Sequence, residues 1–313
     1  MVEARIRRGR RRKRGGGVLL VIVVLALVYG VAVYALFVSL IMPETSSTVI
    51  DVQYEHLQAM AGRGQYLNNV VDFALTRMVI ESINDTGYLA LINRDHAVLS
   101  ETGAELLVPA WPTVPVSFVG GMYLHPTALQ AVADMINTAR SVDVGPFFVS
   151  SGFRCPDIQA VLYGNGLNST FALPPGHSEH HTGLAIDILA VGISQEQMGS
   201  SREGRWLADN GYRYGLILRY PQGATSITGI EFEPWHFRYV GRPHAYYMKH
   251  NGLVLEEYIA LIQSTGGFSF EMSGITYYVL HQTPRDGMIY LPTYLEFTVS
   301  NDNMGGFIVT ALR

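Results

Sequence analysis

From Val18 to Met42 the chain reads VLLVIVVLALVYGVAVYALFVSLIM without one charged side chain, and this stretch constrains where the rest can fold. At ~1.5 Å per residue, a helix of this length crosses a ~30 Å hydrocarbon core with tilt to spare. Just before it, residues 1–17 hold eight of the 22 Lys and Arg residues and a single acid, Glu3. Basic residues stay on the cytoplasmic side, so the N-terminus is expected inside and everything after Met42 outside. A cleaved leader is the rival reading, but its apolar core usually spans only ~7–15 residues. No small-residue cleavage motif stands out after Met42. The expectation is an uncleaved single-pass anchor at 18–42 behind a cytoplasmic basic tail at 1–17.

Beyond residue 17 the chain keeps 14 basic and 25 acidic residues, a net of −11. That body repels phosphate, so nucleic acid is excluded as a partner despite the basic tail. The one cysteine, Cys155, has no partner for an internal disulfide, so an extracytoplasmic body of this size must rely on its hydrophobic core.

Residues 43–87 read as a stalk. Apolar residues at helical spacing (Leu67, Val70, Val71, Ala74, Leu75, Met78) predict an amphipathic helix from about Glu55 to Asn84. A single domain is expected over 88–263. It begins with a short strand at Tyr88–Asn93 and continues with a helix opened by His125-Pro126, whose Leu129, Val132, Ala133 and Ile136 share a face. A buried strand follows at Phe147–Ser150, then a helix at Arg202–Asp209 stopped by Asn210-Gly211. Strands are expected at Gly215–Arg219 and Gly229–Val240, and a last helix at Leu253–Gln263. Residues 264–313 alternate in short apolar runs between PRDG and NDNMGG turns, the pattern of a small all-β extension.

Two segments concentrate the chemistry: GHSEHHTGLAID at 176–187 and EFEPWHFRY at 231–239. A catalytic zinc takes three protein ligands, commonly imidazole and carboxylate, and leaves a fourth position open. It also needs a carboxylate outside the ligand set to handle a proton. Adjacent histidines alone are often only hydrogen-bonding surface residues. The apolar bracket adds weight here. Leu184, Ala185, Ile186 and Ile188 force a buried strand around Asp187, where an ionised carboxylate is costly unless paired or bound to metal. Glu233 and His236 sit in the same predicament among Phe232, Trp235, Phe237 and Val240.

These residues resemble the zinc D-alanyl-D-alanine carboxypeptidases of the VanY type. The pattern Ser-x-His-x-x-Gly-x-Ala-x-Asp is matched at Ser178, His180, Gly183, Ala185 and Asp187. Glu-x-Trp-His is matched at Glu233, Trp235 and His236. Ser-Gly-aromatic-Arg, with Gln five residues on, is matched at Ser151, Gly152, Phe153, Arg154 and Gln159. The resemblance covers about residues 88–263 and excludes the anchor, the stalk and the β extension.

The resemblance implies Zn2+ bound by His180, Asp187 and His236, with Glu233 as the catalytic base and acid. Arg154 is its implied stabiliser of negative charge, and Ser178 and Gln159 are implied substrate contacts. Positions 233 and 236 face opposite ways on a regular strand, so Glu233 must lie at a bend or strand start, where Pro234 fits. The implied substrates are peptidoglycan stem peptides ending in D-Ala-D-Ala. Trimming of tetrapeptides by an L,D-carboxypeptidase, endopeptidase cleavage, and a non-catalytic wall-binding module are the alternatives. The fold expected is α+β, helices packed on a small antiparallel sheet that carries the zinc site.

Overall fold

The computed structural model describes residues 75–99, 106–117, 122–164 and 171–313. The predicted anchor at 18–42 and most of the predicted stalk helix lie outside these residues. Among the described residues no helix is long and apolar enough to cross a membrane.

The first strand, β1 (Thr76–Val79), falls where helical spacing predicts the end of the stalk helix. Long-range pairing overrides that local pattern: β1 pairs antiparallel with a C-terminal strand, and Met78, Ile80 and Ile83 pack on a C-terminal apolar cluster. The expected strand at Tyr88–Asn93 is absent. Leu89, Leu91 and Ile92 are nonetheless buried, in irregular backbone whose polar groups are taken by distant side chains. Arg238 donates to the carbonyls of Gly87, Tyr88 and Ala90, Asn303 donates to that of Leu91, and Ser300 accepts from the Leu89 amide. A buried segment needs its backbone satisfied, and side chains serve as well as a neighbouring strand.

After a minimal ladder of β2 (Val108–Pro109) and β3 (Tyr123–Leu124), a helix spans Pro126–Ser141, capped by His125 through its Nδ1. Strands β4 (Phe147–Ser151), β5 (Ala185–Ala190), β6 (Leu216–Leu218) and β7 (His236–Tyr239) form an antiparallel sheet in the order β4-β5-β7-β6. One face carries Ile186, Ile188 and Phe237, packed with Val132, Met135 and Ile136 of the Pro126–Ser141 helix. Each such side chain, taken fully out of water, stabilises by ~1.5–3 kcal/mol. The strand expected over Gly229–Val240 is shorter than the sequence suggests. Only His236–Tyr239 is extended, because Glu233 to His236 closes a turn, the His236 amide donating to the Glu233 carbonyl at 3.1 Å. The bend required at Glu233 is therefore present.

Helices Arg242–Asn251, which the sequence pattern did not reveal, and Leu255–Thr265 follow. The C-terminal residues form β8 (Gly267–Met272), β9 (Ile275–Gln282), β10 (Met288–Leu291), β11 (Glu296–Asn301) and β12 (Phe307–Leu312). Four of these make an antiparallel sheet in the order β11-β12-β9-β8, while β10 pairs with β1. This sheet is not a free-standing appendage. Phe268, Val279 and Ile308 share one apolar cluster with Leu255, Tyr258 and Ile259 of the last helix and with Ile217 and Val240 beside the central sheet. The architecture is mixed α/β with small antiparallel sheets.

Candidate metal centre

The centre is built on the face of the central sheet opposite the helix-packed core. Alternation along β5 sends Ile186 and Ile188 into the core and Asp187 to the other face. In the β5–β7 ladder Asp187 is the direct partner of His236, as Ile186 is of Phe237. Asp187 Oδ1 lies 3.0 Å from His236 Nδ1. A register shift in β4 between Val149 and Ser151 brings Ser151 opposite Asp187.

His180 arrives from a 3-10 turn, Glu179–Thr182, whose N-cap Ser178 accepts the His180 amide through its hydroxyl. The turn ends at Gly183 in the left-handed region, with φ 69°. A side chain there would also run into Leu107 and the His125 amide, so glycine is required twice over. His180 Nδ1 is bonded to the Gly152 carbonyl at 2.7 Å, which turns Nε2 towards Asp187 Oδ1, 3.5 Å away. His180, Asp187 and His236 each offer a ligand atom, all within 4.8 Å of one another.

The donor set fits a divalent zinc. His180 Nε2 is buried with no hydrogen-bond partner among the described residues, which is costly unless a bound group occupies it. Two imidazoles and one carboxylate match a catalytic zinc that keeps a fourth position open.

Glu233 Oε2 is 3.8 Å from His236 Nδ1, near the ligand set but outside it. Burial pushes its carboxyl up to about 7, an effect reinforced by Asp187 and opposed by His236 and Arg154. Burial, then Arg154, takes His180 down to about 4. Burial acts in the same direction on His236, but the hydrogen bond to Asp187 and the nearby Glu179 carboxylate outweigh it and raise that imidazole to about 9. Arg154 lines the same pocket as Glu233, His180 and His236, and its buried Nε has no partner among the described residues. Ser178 and Gln159 line that pocket too. Gln159 Nε2 donates to the Leu173 carbonyl, while its Oε1 has no partner among the described residues. All seven residues singled out in the sequence therefore converge.

The neighbouring histidines play other parts. His181 Nε2 accepts the Gly176 amide, so its Nδ1 carries the proton that it donates to the Arg154 carbonyl. His177 Nδ1 bonds to the Asn93 carbonyl. Sequence reasoning missed Glu179, Arg219, Arg238 and Tyr220. Glu179 is fully buried and accepts from Arg219 Nε at 2.8 Å and Arg238 Nη1 at 3.0 Å. The signal was present: Arg219 closes the run GLILR and Arg238 interrupts HFRYV, and a guanidinium in a buried strand demands a carboxylate.

A site with two histidines, an aspartate and a nearby glutamate on a small antiparallel sheet defines a zinc-type metallopeptidase class. The model for VanY, D-alanyl-D-alanine carboxypeptidase, matches residues 121–242. A D-alanyl-D-alanine carboxypeptidase of Enterococcus faecium is 39% identical over 190 residues, covering 60% of this chain and 61% of the relative. The bifunctional D-Ala-D-Ala dipeptidase and carboxypeptidase VanXYC of Enterococcus gallinarum is 42% identical over 186 residues, covering 54% and 92%. A putative carboxypeptidase of Bacillus subtilis, YodJ, is 35% identical over 58% of this chain and 70% of its own length. Among solved structures, the D,D-dipeptidase VanXYg in complex with a D-Ala-D-Ala phosphinate analogue aligns with TM-score 0.66 at 26% identity, over 78% of this chain and 100% of the other. The LdcB LD-carboxypeptidase aligns with TM-score 0.51 at 36% identity, over 55% and 86%. This chain belongs to the VanY family of zinc metallopeptidases.

Proposed function

We propose that this chain is a zinc D-alanyl-D-alanine carboxypeptidase, held to the outer side of a membrane by residues 18–42, that removes terminal D-alanine from peptidoglycan stem peptides. The observation that carries the reading is the convergence of His180, Asp187 and His236 within 4.8 Å, with Glu233 beside them and Arg154 on the same pocket wall.

His180, Asp187 and His236 would hold the ion, with His180 Nε2, Asp187 Oδ1 and His236 Nδ1 as the donors that face one another. Zinc, when bound, supplies a Lewis acid that polarises a water and the scissile carbonyl. Glu233, with a midpoint near neutrality, takes a proton from the attacking water and returns it to the leaving D-alanine amine. Arg154 meets the negative charge that grows on the carbonyl oxygen, an interaction stronger in the transition state than in the ground state. The Ser178 hydroxyl accepts the His180 amide, so its own proton is available to a terminal carboxylate. Gln159 Oε1 is an acceptor, and that suits it to a peptide N–H of the substrate.

The likeness to the LdcB LD-carboxypeptidase supports a second reading, removal of D-alanine from a tetrapeptide. One experiment decides both: metal analysis of the full chain, with mass spectrometry of pentapeptide and tetrapeptide stems after digestion. Stoichiometric zinc and loss of one alanine from the pentapeptide are expected. Loss from the tetrapeptide alone selects the second reading, and a zinc-loaded protein that trims neither overturns both.

A further inference from the structure

Glu179, next in sequence to the ligand His180, makes no part of the ligand set. Its Oε1 accepts from both Arg219 and Arg238. Its Oε2 is buried and lies 3.5 Å from His236 Nε2, and neither atom has a hydrogen-bond partner among the described residues. The His236 ring is thus bracketed by two carboxylates, Asp187 at Nδ1 and Glu179 at Nε2. We propose that Glu179 is a positioning residue for His236, accepting its Nε2 proton and thereby presenting Nδ1 to the metal. The inference rests on the metal reading above and deepens it.

The tautomer follows from valence. A neutral imidazole carries one proton, and a nitrogen that ligates a metal cannot bear it. With Nδ1 facing Asp187 and the ligand cluster, the proton must sit on Nε2, where Glu179 Oε2 is the acceptor in reach. Such an outer carboxylate fixes ring orientation and raises the basicity of the ligating nitrogen.

The two arginines explain why Glu179 holds this pose. Arg219 reaches onward to Glu256 with Nη1 and Nη2, at 2.9 and 2.6 Å. Arg238 spends Nη2 on the carbonyls of Gly87, Tyr88 and Ala90. Both guanidiniums are wholly buried, and with Glu179 and Glu256 they make a charge-balanced set. Each arginine is locked at its far end, so the carboxylate between them has one orientation. That orientation leaves Oε2 for the imidazole.

The test uses the full chain, Glu179→Gln and Glu256→Gln. Glu256→Gln breaks the arginine network without touching His236. Zinc affinity is read by competition with a chelator, and the histidine tautomer by 15N-histidine NMR of the zinc-loaded protein. The expectation is a ~10–100-fold weaker zinc affinity for Glu179→Gln, with a much smaller loss of affinity and lower thermal stability for Glu256→Gln, in which Arg238 still holds Glu179. In the wild type, His236 should show an exchange-protected Nε2–H that Glu179→Gln loses. A folded Glu179→Gln with wild-type affinity and the same N–H signal overturns the proposal, as does an equal loss of affinity in Glu256→Gln. If Glu179→Gln does not fold, the wild-type spectrum decides: metal on Nε2 of His236 refutes the assignment, a protected Nε2–H supports it. A wild type that binds no zinc removes the functional reading as well, whereas zinc binding and D-alanine release unaffected by Glu179 remove this inference alone.

Discussion

Asp187 and His236 are cross-strand partners, one on β5 and one on β7, with Oδ1 and Nδ1 3.0 Å apart. Two of the three proposed ligands are therefore set by a backbone ladder rather than by loops. A ligand pair held this way is pre-organised before metal arrives, which limits the ordering cost of binding. Asp187→Asn should leave the ladder intact while removing the anionic ligand. Metal analysis after dialysis should show zinc lost from the variant, with a far-ultraviolet spectrum unchanged from wild type. Full zinc occupancy in Asp187→Asn would remove it from the ligand set.

Glu233 lies beside the ligands without joining them, on the turn that precedes β7. Glu233→Gln should retain zinc and lose D-alanine release by about 10²–10⁴-fold, the range for a positioned acid–base group. Coupled metal and product assays check this, and equal turnover of the variant and the wild type refutes the role.

Gly183 holds a left-handed turn and meets Leu107 and the His125 amide where a Cβ would stand. Gly183→Ala should destabilise the fold by about 1–3 kcal/mol. It should also weaken zinc binding, since His180 rides on the same turn. Urea denaturation and chelator competition measure the two effects; a variant with unchanged stability contradicts the packing described.

His244, on the Arg242–Asn251 helix, is buried against the last helix and the C-terminal sheet, bonded to the Tyr258 hydroxyl through Nδ1 and to Thr310 Oγ1 through Nε2. Burial pushes its imidazole down to about 3 from 6.5, and no carboxylate opposes the shift. The unfolded chain therefore takes up this proton first as pH falls. The contribution is absent above 6.5 and costs stability below it, by about 1.4 kcal/mol per pH unit down to the folded midpoint. Unfolding free energies at pH 7 and pH 5, compared between wild type and His244→Gln, should show a shallower acid loss in the variant. Parallel losses would show that His244 does not report this burial.

Removal of residues 268–313 should abolish folding of the remainder rather than trim a passive extension. Phe268, Val279 and Ile308 cover the same cluster that buries Tyr258 and Ile259, and losing several large core side chains at ~2–5 kcal/mol each exceeds ordinary domain stability. A truncated chain with a cooperative thermal transition would contradict this.

The site was more legible than the fold around it. Asp187 stood out because a carboxylate inside Leu184–Ile188 has few stable fates, and the strand period then sets which face it takes. The turn at Glu233 followed from the spacing to His236 and from Pro234. Residues 88–93 were illegible as structure, because their backbone partners are Arg238, Ser300 and Asn303, which no local pattern links to them. The end of the stalk helix misled for a similar reason. Thr76–Val79 carries helical spacing, but its conformation is decided by a strand more than two hundred residues away. Glu179 carries no local signal because its surroundings depend on two arginines remote in sequence, one just after β6 and one on β7.

The pairing of β1 with β10 also bears on force. Thr76 to Val79 lies antiparallel to Met288–Leu291, and Asp85 follows with bonds to the Asn301 amide and side chain. These contacts would have to shear before a displacement of Thr76 could pass to the sheet bearing Asp187 and His236. The ladder between the first described strand and β10 thus ties the entry of the domain to its own C-terminal residues.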